Sequence, residues 1–216
     1  IVPLTEVYRQ YQELNAPILV FASGDPLFFG YTTTLMREFP GLVSRTFPSF
    51  SSLQMLAHSL RLPYHDMRVV SLTGRPWHEL DRALIERAAK VGVLTDLKNT
   101  PARIAQRMLD YGYSNYQMHI GVRLGGNREE VYSLPLEEVV EREFEHPNCL
   151  IIEDPHPTAY AAPIGLHELD FFPLNGRVKM ITKMPVRVVS LSLLELEHRR
   201  SFWDVGFCTG SVSIEA

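Results

Sequence analysis

Cysteine is almost missing from this chain: 216 residues hold two, Cys149 and Cys208, far apart and in unrelated contexts. Two such thiols argue against a disulfide framework and a cysteine-based metal centre, and they predict a reducing compartment, the cytoplasm. Long apolar runs are missing too. None approaches the roughly 20 residues that cross a bilayer, and no signal peptide is read at the start, so no membrane partner is expected. The eight histidines fall into no HxH or HExxH spacing, so no metal site is predicted. Positive charge is not in excess either. A net charge of -4 speaks against a nucleic-acid partner bound by phosphate neutralisation. No GxxxxGK[ST] loop occurs, which removes the P-loop nucleotide binders. There is no fixed-period repeat and no low-complexity tract. What is present is ordinary globular usage, 45% hydrophobic and 21% charged residues.

Apolar runs alternate with helix-period segments along the chain, the pattern of α/β architecture. Residues 1–14 read as a helix with no strand before it. Strands are predicted at 17–23, 42–47, 67–72, 91–96 and 116–124, with further strands at 129–134 and 148–153. Helices are predicted at 26–39, 49–62, 77–90 and 100–112. The last of these carries its own punctuation: Thr100 as N-cap, Pro101 at the first helical position and Gly112 as terminator. Residues 154–180 hold four prolines and no period, and read as a linker. A strand and helix pattern restarts after it, and 201–216 reads as strand, glycine turn and helix start. Both ends look cut, predicting a piece of a longer polypeptide.

The stretch VFASGDPLFFGY, residues 20–31, sets the tightest turn chemistry directly after the most strand-like run. Asp25 is placed as a helix N-cap and Pro26 as the first helical residue. Gly24 permits a sharp turn and a close approach. A glycine turn at the carboxyl end of a strand is where open α/β sheets bind ligands. Ser51 and Ser52 open the next helix, where an N-cap is the simpler role, and Thr95 and Asp96 close the fourth strand. Strand ends of this kind line one crevice, suited to a nucleoside with a charged amino-acid tail.

Five ordered segments, VFASGDPLFFG, FPSFSSLQMLA, VVSLTGRP, VLTDLKNTPARIAQRML and VRLGGNREEVY, resemble the motif series of the tetrapyrrole methylases. They come nearest to the branch that methylates C5 of a precorrin in cobalamin biosynthesis. The resemblance covers about residues 1–153. It implies two α/β domains, about 1–89 and 90–153, a cleft between them that holds S-adenosylmethionine, and a homodimer. Separately, ITKMPVRVVSLSLLEL followed by WDVGFCTGSVSIEA resembles the opening of the C15-methylating, decarboxylating partner of that pathway, a Rossmann-like methyltransferase. Residues 181–216 would then be the truncated start of a second module, and the whole a fused enzyme acting on a precorrin.

By that resemblance Gly24, Asp25 and Phe28 border the cofactor, and Ser51 and Ser52 meet its polar end. Thr95 and Leu124 join them by strand position. Asp204, Gly206 and Gly210 form the cofactor turn of the second module. Arg75 and Arg123 are candidates for the substrate carboxylates, against an ordinary surface role. Tyr31 and Trp77 flank the macrocycle or belong to the core, and Lys183 is a second-module contact on similar grounds. No catalytic side chain is expected, because the sulfonium carries the reactive methyl and catalysis is largely positioning. Departures are visible. The family's opening strand and glycine-rich loop do not appear before Ile1. Val122 stands for a usual Glu, Pro185 for an acidic residue and Cys208 for a usual glycine. Two other readings stay open: an inactive or scaffolding fragment of such an enzyme, and a methylase of the same superfamily with a different substrate.

Overall fold

The computed structural model describes residues 3–14, 16–41, 45–157, 164–172 and 180–216. The chain divides into two compact units, Ile1–Thr158 and Ala159–Ala216. Among the described residues no helix is long and apolar enough to cross a membrane.

The first unit opens with three helices, α1 (Leu4–Glu13), α2 (Tyr31–Glu38) and α3 (Ser52–Leu60). The alternating series follows: β1 (Arg68–Ser71), α4 (His78–Ile85), β2 (Lys90–Leu94), α5 (Pro101–Asp110) and β3 (Gln117–Val122). The unit closes with β4 (Glu130–Pro135), α6 (Leu136–Val140) and β5 (Asn148–Glu153). The strands form one mixed sheet in the order β1-β2-β5-β3-β4. β1 and β2 are parallel, whereas β5 runs antiparallel to both β2 and β3. The carboxyl ends of β1, β2 and β3 therefore emerge at one edge of the sheet.

Side-chain alternation assigns each strand residue to a face. Val91, Val93, Met118, Ile120, Leu150 and Ile152 face α4, α5 and α6 across a fully buried core. Cys149 and Ile151 face the other way, onto Leu53, Leu56 and Ala57 of α3. Each of these aliphatic side chains contributes about 1.5–3 kcal/mol by leaving water. Gly92 sets how closely α3 can approach: a Cβ there would lie 2.8 Å from Leu53 Cδ1 and 2.9 Å from Met67 Sδ.

The sheet begins later than the sequence predicts. Residues 17–22 form no strand, and Leu19 and Phe21 are 73% and 90% exposed. An apolar run is strand-like only locally; a strand exists through its ladder partners, and this run has none among the described residues. Of the strand expected at 42–47, residues 42–44 lie outside the described residues and 45–47 are not strand. The helix expected from residue 26 starts instead at Tyr31, after a turn through 26–29. Gly30 makes that turn possible, because a Cβ on it would fall 2.3 Å from the Pro26 carbonyl oxygen. Asp25 is accordingly a turn residue and not a helix cap. The short α6 was not expected, although Pro135 before Leu136, Glu137 and Glu138 is a helix start. β1 and β2, on either side of the domain boundary expected at residue 89, are neighbours in the one sheet.

The second unit holds α7 (Met184–Leu193) and α8 (Ser211–Glu215). Neither the strand expected to restart after the linker nor the one expected within 201–216 forms among the described residues. Trp203 and Val205, which looked strand-like, are 85% and 91% exposed. The unit is organised around a charge: Arg187, fully buried, donates from Nε to Glu215 Oε2 at 2.5 Å and from Nη1 to the Thr182 carbonyl at 2.5 Å. Its guanidinium also lies 4.7 Å over the Phe171 ring.

Candidate functional site

Five segments of the first unit converge on the carboxyl edge of β1, β2 and β3. The N-terminus of α3 is fixed by a capping box. Ser51 Oγ accepts from Gln54 N at 3.2 Å, and Gln54 Oε1 accepts from Ser51 N at 2.9 Å. Both orphan amides are thereby satisfied. Ser52, next in the helix, acts on the Cys149 thiol in the lowering direction, a smaller effect than burial. Burial pushes that thiol up to about 11, so Cys149 stays protonated and is no nucleophile.

The turn at 23–29 lies against this helix start. A Cβ on Gly24, whose φ is +72°, would sit 3.8 Å from the Phe50 carbonyl oxygen. Asp25 Oδ1 accepts from Leu27 N at 2.8 Å, and Asp25 O accepts from Phe28 N at 3.2 Å. Phe28 then packs on the apolar cluster under α3, where it meets the same group as Leu94 and Leu124.

The loops after β1 and β2 are laced together by side chain to backbone bonds. Asp96 Oδ2 accepts from Gly74 N at 2.8 Å, and Oδ1 accepts from Lys98 N at 2.8 Å and Asn99 N at 2.7 Å. The Gly74 amide first, then those of Asn99 and Lys98, hold the Asp96 carboxyl below the usual range, against a smaller opposing effect of burial. Thr73 Oγ1 donates to the Thr95 carbonyl at 3.0 Å, and Asn99 Nδ2 to the Leu72 carbonyl at 2.9 Å. Thr95 Oγ1 lies 2.6 Å from Asn148 O and 2.7 Å from Asn148 Oδ1, which ties β2 to the start of β5. After β3, Leu124 folds back over Gly121, and Gly125 packs on Met55 of α3.

The structure thus gathers Gly24, Asp25, Phe28, Ser51, Ser52, Thr95 and Leu124 at one edge. Arg75 joins them, its guanidinium 4.9 Å over the ring of Phe29. Arg123 is turned elsewhere: Nη2 pairs with Glu145 at 2.9 Å and Nε donates to the His146 carbonyl at 3.3 Å. It holds the entry to β5. Tyr31 stacks on Tyr8, with ring centroids 6.5 Å apart, and burial raises its hydroxyl. Trp77 packs against the main core with Arg107 5.1 Å over its ring. Both are packing residues. Asp96 was expected only as a lining residue at a strand end, and its partners Asn99 and Thr73 were not named; the signal for them was an Asp two residues past a strand, followed by Asn and a capped helix.

A cavity of about 540 Å3 opens on the other side of the β2–α5 loop, between Leu97, Thr100 and Pro101 and the segment Arg142–Phe144. None of the expected cofactor residues lines it.

In the second unit Asp204 Oδ2 accepts from Ser213 Oγ at 2.7 Å, across a turn in which Gly206 and Gly210 take φ of +78° and +69°. Cys208 also has a positive φ, +49°, the backbone that a glycine favours. Lys183 supplies the backbone N-cap of α7, with no side-chain cap bond.

The family description "Tetrapyrrole (Corrin/Porphyrin) Methylases" matches residues 5–140, the stretch that contains this edge. The chain belongs to the tetrapyrrole methylases. Among curated members, a precorrin-6Y C(5,15)-methyltransferase [decarboxylating] from Sinorhizobium sp is 32% identical over 207 residues. That alignment covers 93% of this chain and 48% of the relative, so the chain spans about half the length of the protein it matches. A cobalt-precorrin-7 C(5)-methyltransferase from Salmonella typhimurium is 31% identical over 137 residues, 63% of this chain and 66% of that one. Uroporphyrin-III C-methyl transferase from Thermus thermophilus, solved with S-adenyl homocysteine, superposes with a TM-score of 0.50 at 24% identity. It covers 69% of this chain and 68% of its own, and shows that this methylase shares the mixed α/β fold.

Proposed function

We propose that the first unit is the S-adenosylmethionine-dependent part of an enzyme that methylates C5 of a precorrin in cobalamin biosynthesis. In this reading residues 181–216 open a second module for C15 methylation with decarboxylation. The observation that carries it is the 32% identity to the Sinorhizobium protein, which runs through both stretches and not the methylase fold alone. The expected division into two α/β domains and a linker, the homodimer and the cytoplasmic location belong to the same proposal.

The residues at the sheet edge suit the cofactor. Phe28, Leu94 and Leu124 offer apolar surface to a nucleoside, while Ser51, Ser52 and Thr95 form the polar side of the edge, with Ser51 and Thr95 fixed by their own bonds to Gln54 and Asn148. Gly24 keeps the turn beside Phe50 free of a side chain, which lets a ligand approach the backbone closely. The bound cofactor supplies an activated methyl on a sulfonium. What this chain contributes is orientation. The capping box at Ser51 and the Asp96 network hold the wall of the site rigid, so a bound pair of reactants stays aligned for an in-line displacement. No side chain at the edge is arranged as a nucleophile, since the Cys149 thiol is buried and protonated. In the second module Asp204, Gly206 and Gly210 would form the corresponding turn.

Calorimetric titration of S-adenosylhomocysteine into the chain and its Asp25→Ala variant tests the reading. Binding is expected, and the variant, which loses the bond from Leu27 N, is expected to bind several-fold more weakly. A chain that stays folded and gives no heat with the ligand would remove the cofactor claim and favour a scaffolding role.

A further inference from the structure

The cations along this edge are not equally available. Arg123 is paired with Glu145. Arg103 donates from Nη1 to the Lys98 carbonyl at 2.7 Å. Arg107, on α5, is held bidentately by Asp81, both bonds 2.9 Å. Arg75 differs from all three. It is exposed, and among the described residues its guanidinium meets only the Phe29 ring, 4.9 Å from the guanidinium carbon. A guanidinium stacked on an aromatic face keeps its in-plane N–H donors free while its plane is fixed.

The loop that carries Arg75 is fixed as well. Arg75 N donates to the Leu72 carbonyl at 3.3 Å, Gly74 N to Asp96 at 2.8 Å, and Thr73 Oγ1 to the Thr95 carbonyl at 3.0 Å. Phe29 is held with a φ of +51° in the turn that follows Gly24 and Asp25. Two separate segments, 23–29 and 72–75, are therefore used to hold one unpaired cation at the edge where the cofactor residues meet. The nearby carboxylates are already engaged: Asp25 by Leu27 N, and Asp96 by three backbone amides.

We infer that Arg75, stacked on Phe29, is the carboxylate receptor of this site, gripping an anionic ligand group through the free edge of its guanidinium. The inference rests on the methylase reading and adds a residue-level role to it. Two carboxylates could be taken there: one on the rim of the tetrapyrrole, or that of the amino-acid tail of the cofactor. The chemistry is the same, and the ligand can be varied to tell them apart.

The test uses the whole chain, with Arg75→Met and Arg75→Lys, and three probes. These are S-adenosylhomocysteine, methylthioadenosine (which lacks the amino-acid carboxylate) and the polycarboxylate uroporphyrin. Because the Arg75 side chain makes no hydrogen bond among the described residues, and the backbone bond to Leu72 is kept in both variants, thermal melting of each should match the parent. A tetrapyrrole carboxylate predicts that Arg75→Met weakens uroporphyrin binding about tenfold and leaves both nucleosides unchanged. A cofactor carboxylate predicts a similar loss for S-adenosylhomocysteine and none for methylthioadenosine. In either case Arg75→Lys, which keeps the charge and loses the planar fork, should fall between. Unchanged binding of uroporphyrin and S-adenosylhomocysteine by Arg75→Met would overturn the inference while leaving the methylase reading intact. So would an equal loss for methylthioadenosine, which would mark a packing effect. A parent chain that binds none of the probes would overturn the methylase reading, and this inference with it.

Discussion

Arg187 and Glu215 form a buried ion pair in the second unit, 2.5 Å apart, with side chains 0% and 2% exposed. Glu215 Oε1 also accepts from the amides of Gly165 at 2.5 Å and Leu166 at 3.2 Å, and Arg187 donates to the Leu166 carbonyl. The pair therefore joins α7, α8 and the segment around residue 165. Removing one partner leaves the other charged and unpaired in the interior, which costs about 3–5 kcal/mol. Arg187→Met is expected to lose amide protection across 180–216 in hydrogen exchange, while the double variant with Glu215→Leu recovers part of it. Equal protection in the single variant and the parent would refute this.

The same carboxylate sets an acid limit for the second unit. Burial alone would raise Glu215, but the Arg187 guanidinium and the Gly165 and Leu166 amides outweigh it and hold the group below its ordinary value. A depressed folded value stabilises the fold above the unfolded value, about 4.3, and that stability is lost as pH falls through the lower folded one. Exchange protection in 180–216 should fall over that acid range in the parent and vary less with pH in Glu215→Gln.

Asp96 makes a parallel prediction for the first unit. Its carboxyl is held down chiefly by the Gly74 amide, so its contribution is complete above about 3.9 and is lost as pH drops below that. Asp96→Ala leaves three backbone donors without their acceptor and should cost about 1–3 kcal/mol in urea unfolding at neutral pH. The difference between variant and parent should shrink in acid. A difference that stays constant with pH would point to lost packing.

Thiol chemistry separates the two cysteines. Cys149 lies 2% exposed with its thiol pushed up to about 11, whereas Cys208 is half-buried, with Sγ 3.5 Å from the Met180 carbonyl. Under native, mildly alkaline conditions a disulfide reagent should modify Cys208 alone, and denaturant should release the second thiol. Rapid modification of Cys149 in the native chain would contradict the packing of α3 on β5.

Gly92→Ala tests that packing directly. The new methyl would fall 2.8 Å from Leu53 Cδ1, so α3 must move or the side chain must leave its rotamer, at about 1–3 kcal/mol. A neutral substitution would mean that α3 rides loosely on the sheet.

Much of the first unit was legible because its signals are local. Thr100, Pro101 and the apolar positions Ile104, Ala105 and Met108 mark α5 at both its start and its buried face. Ser51 with Gln54 does the same for α3. The run at 17–23 misled for the opposite reason: its residues suit a strand, yet the partner that would make it one is not a property of the run. Asp25 showed the same limit at shorter range. Asp-Pro starts a helix only if the next residues stay helical, and Gly30, pressed against the Pro26 carbonyl, diverts them into a turn. At the site, Thr95 and Leu124 follow β2 and β3 as their strand positions implied, whereas Gly24 and Ser51 stand beside each other without the strands expected before them. The capture of Arg123 by Glu145 was not foreseen, because it depends on where an antiparallel β5 begins.

The strand order gives the last point a temporal meaning. β5 comes last in the chain of this unit and lies between β2 and β3. Until residue 153 has left the ribosome, the sheet exists only as a parallel pair and a hairpin, each with an open edge toward the gap. Such edges invite pairing with other chains, and closure must wait for a contact of long sequence separation. Nascent chains stalled before β5 should therefore be the aggregation-prone species of this protein, with chaperone demand peaking just ahead of the residues that close the gap.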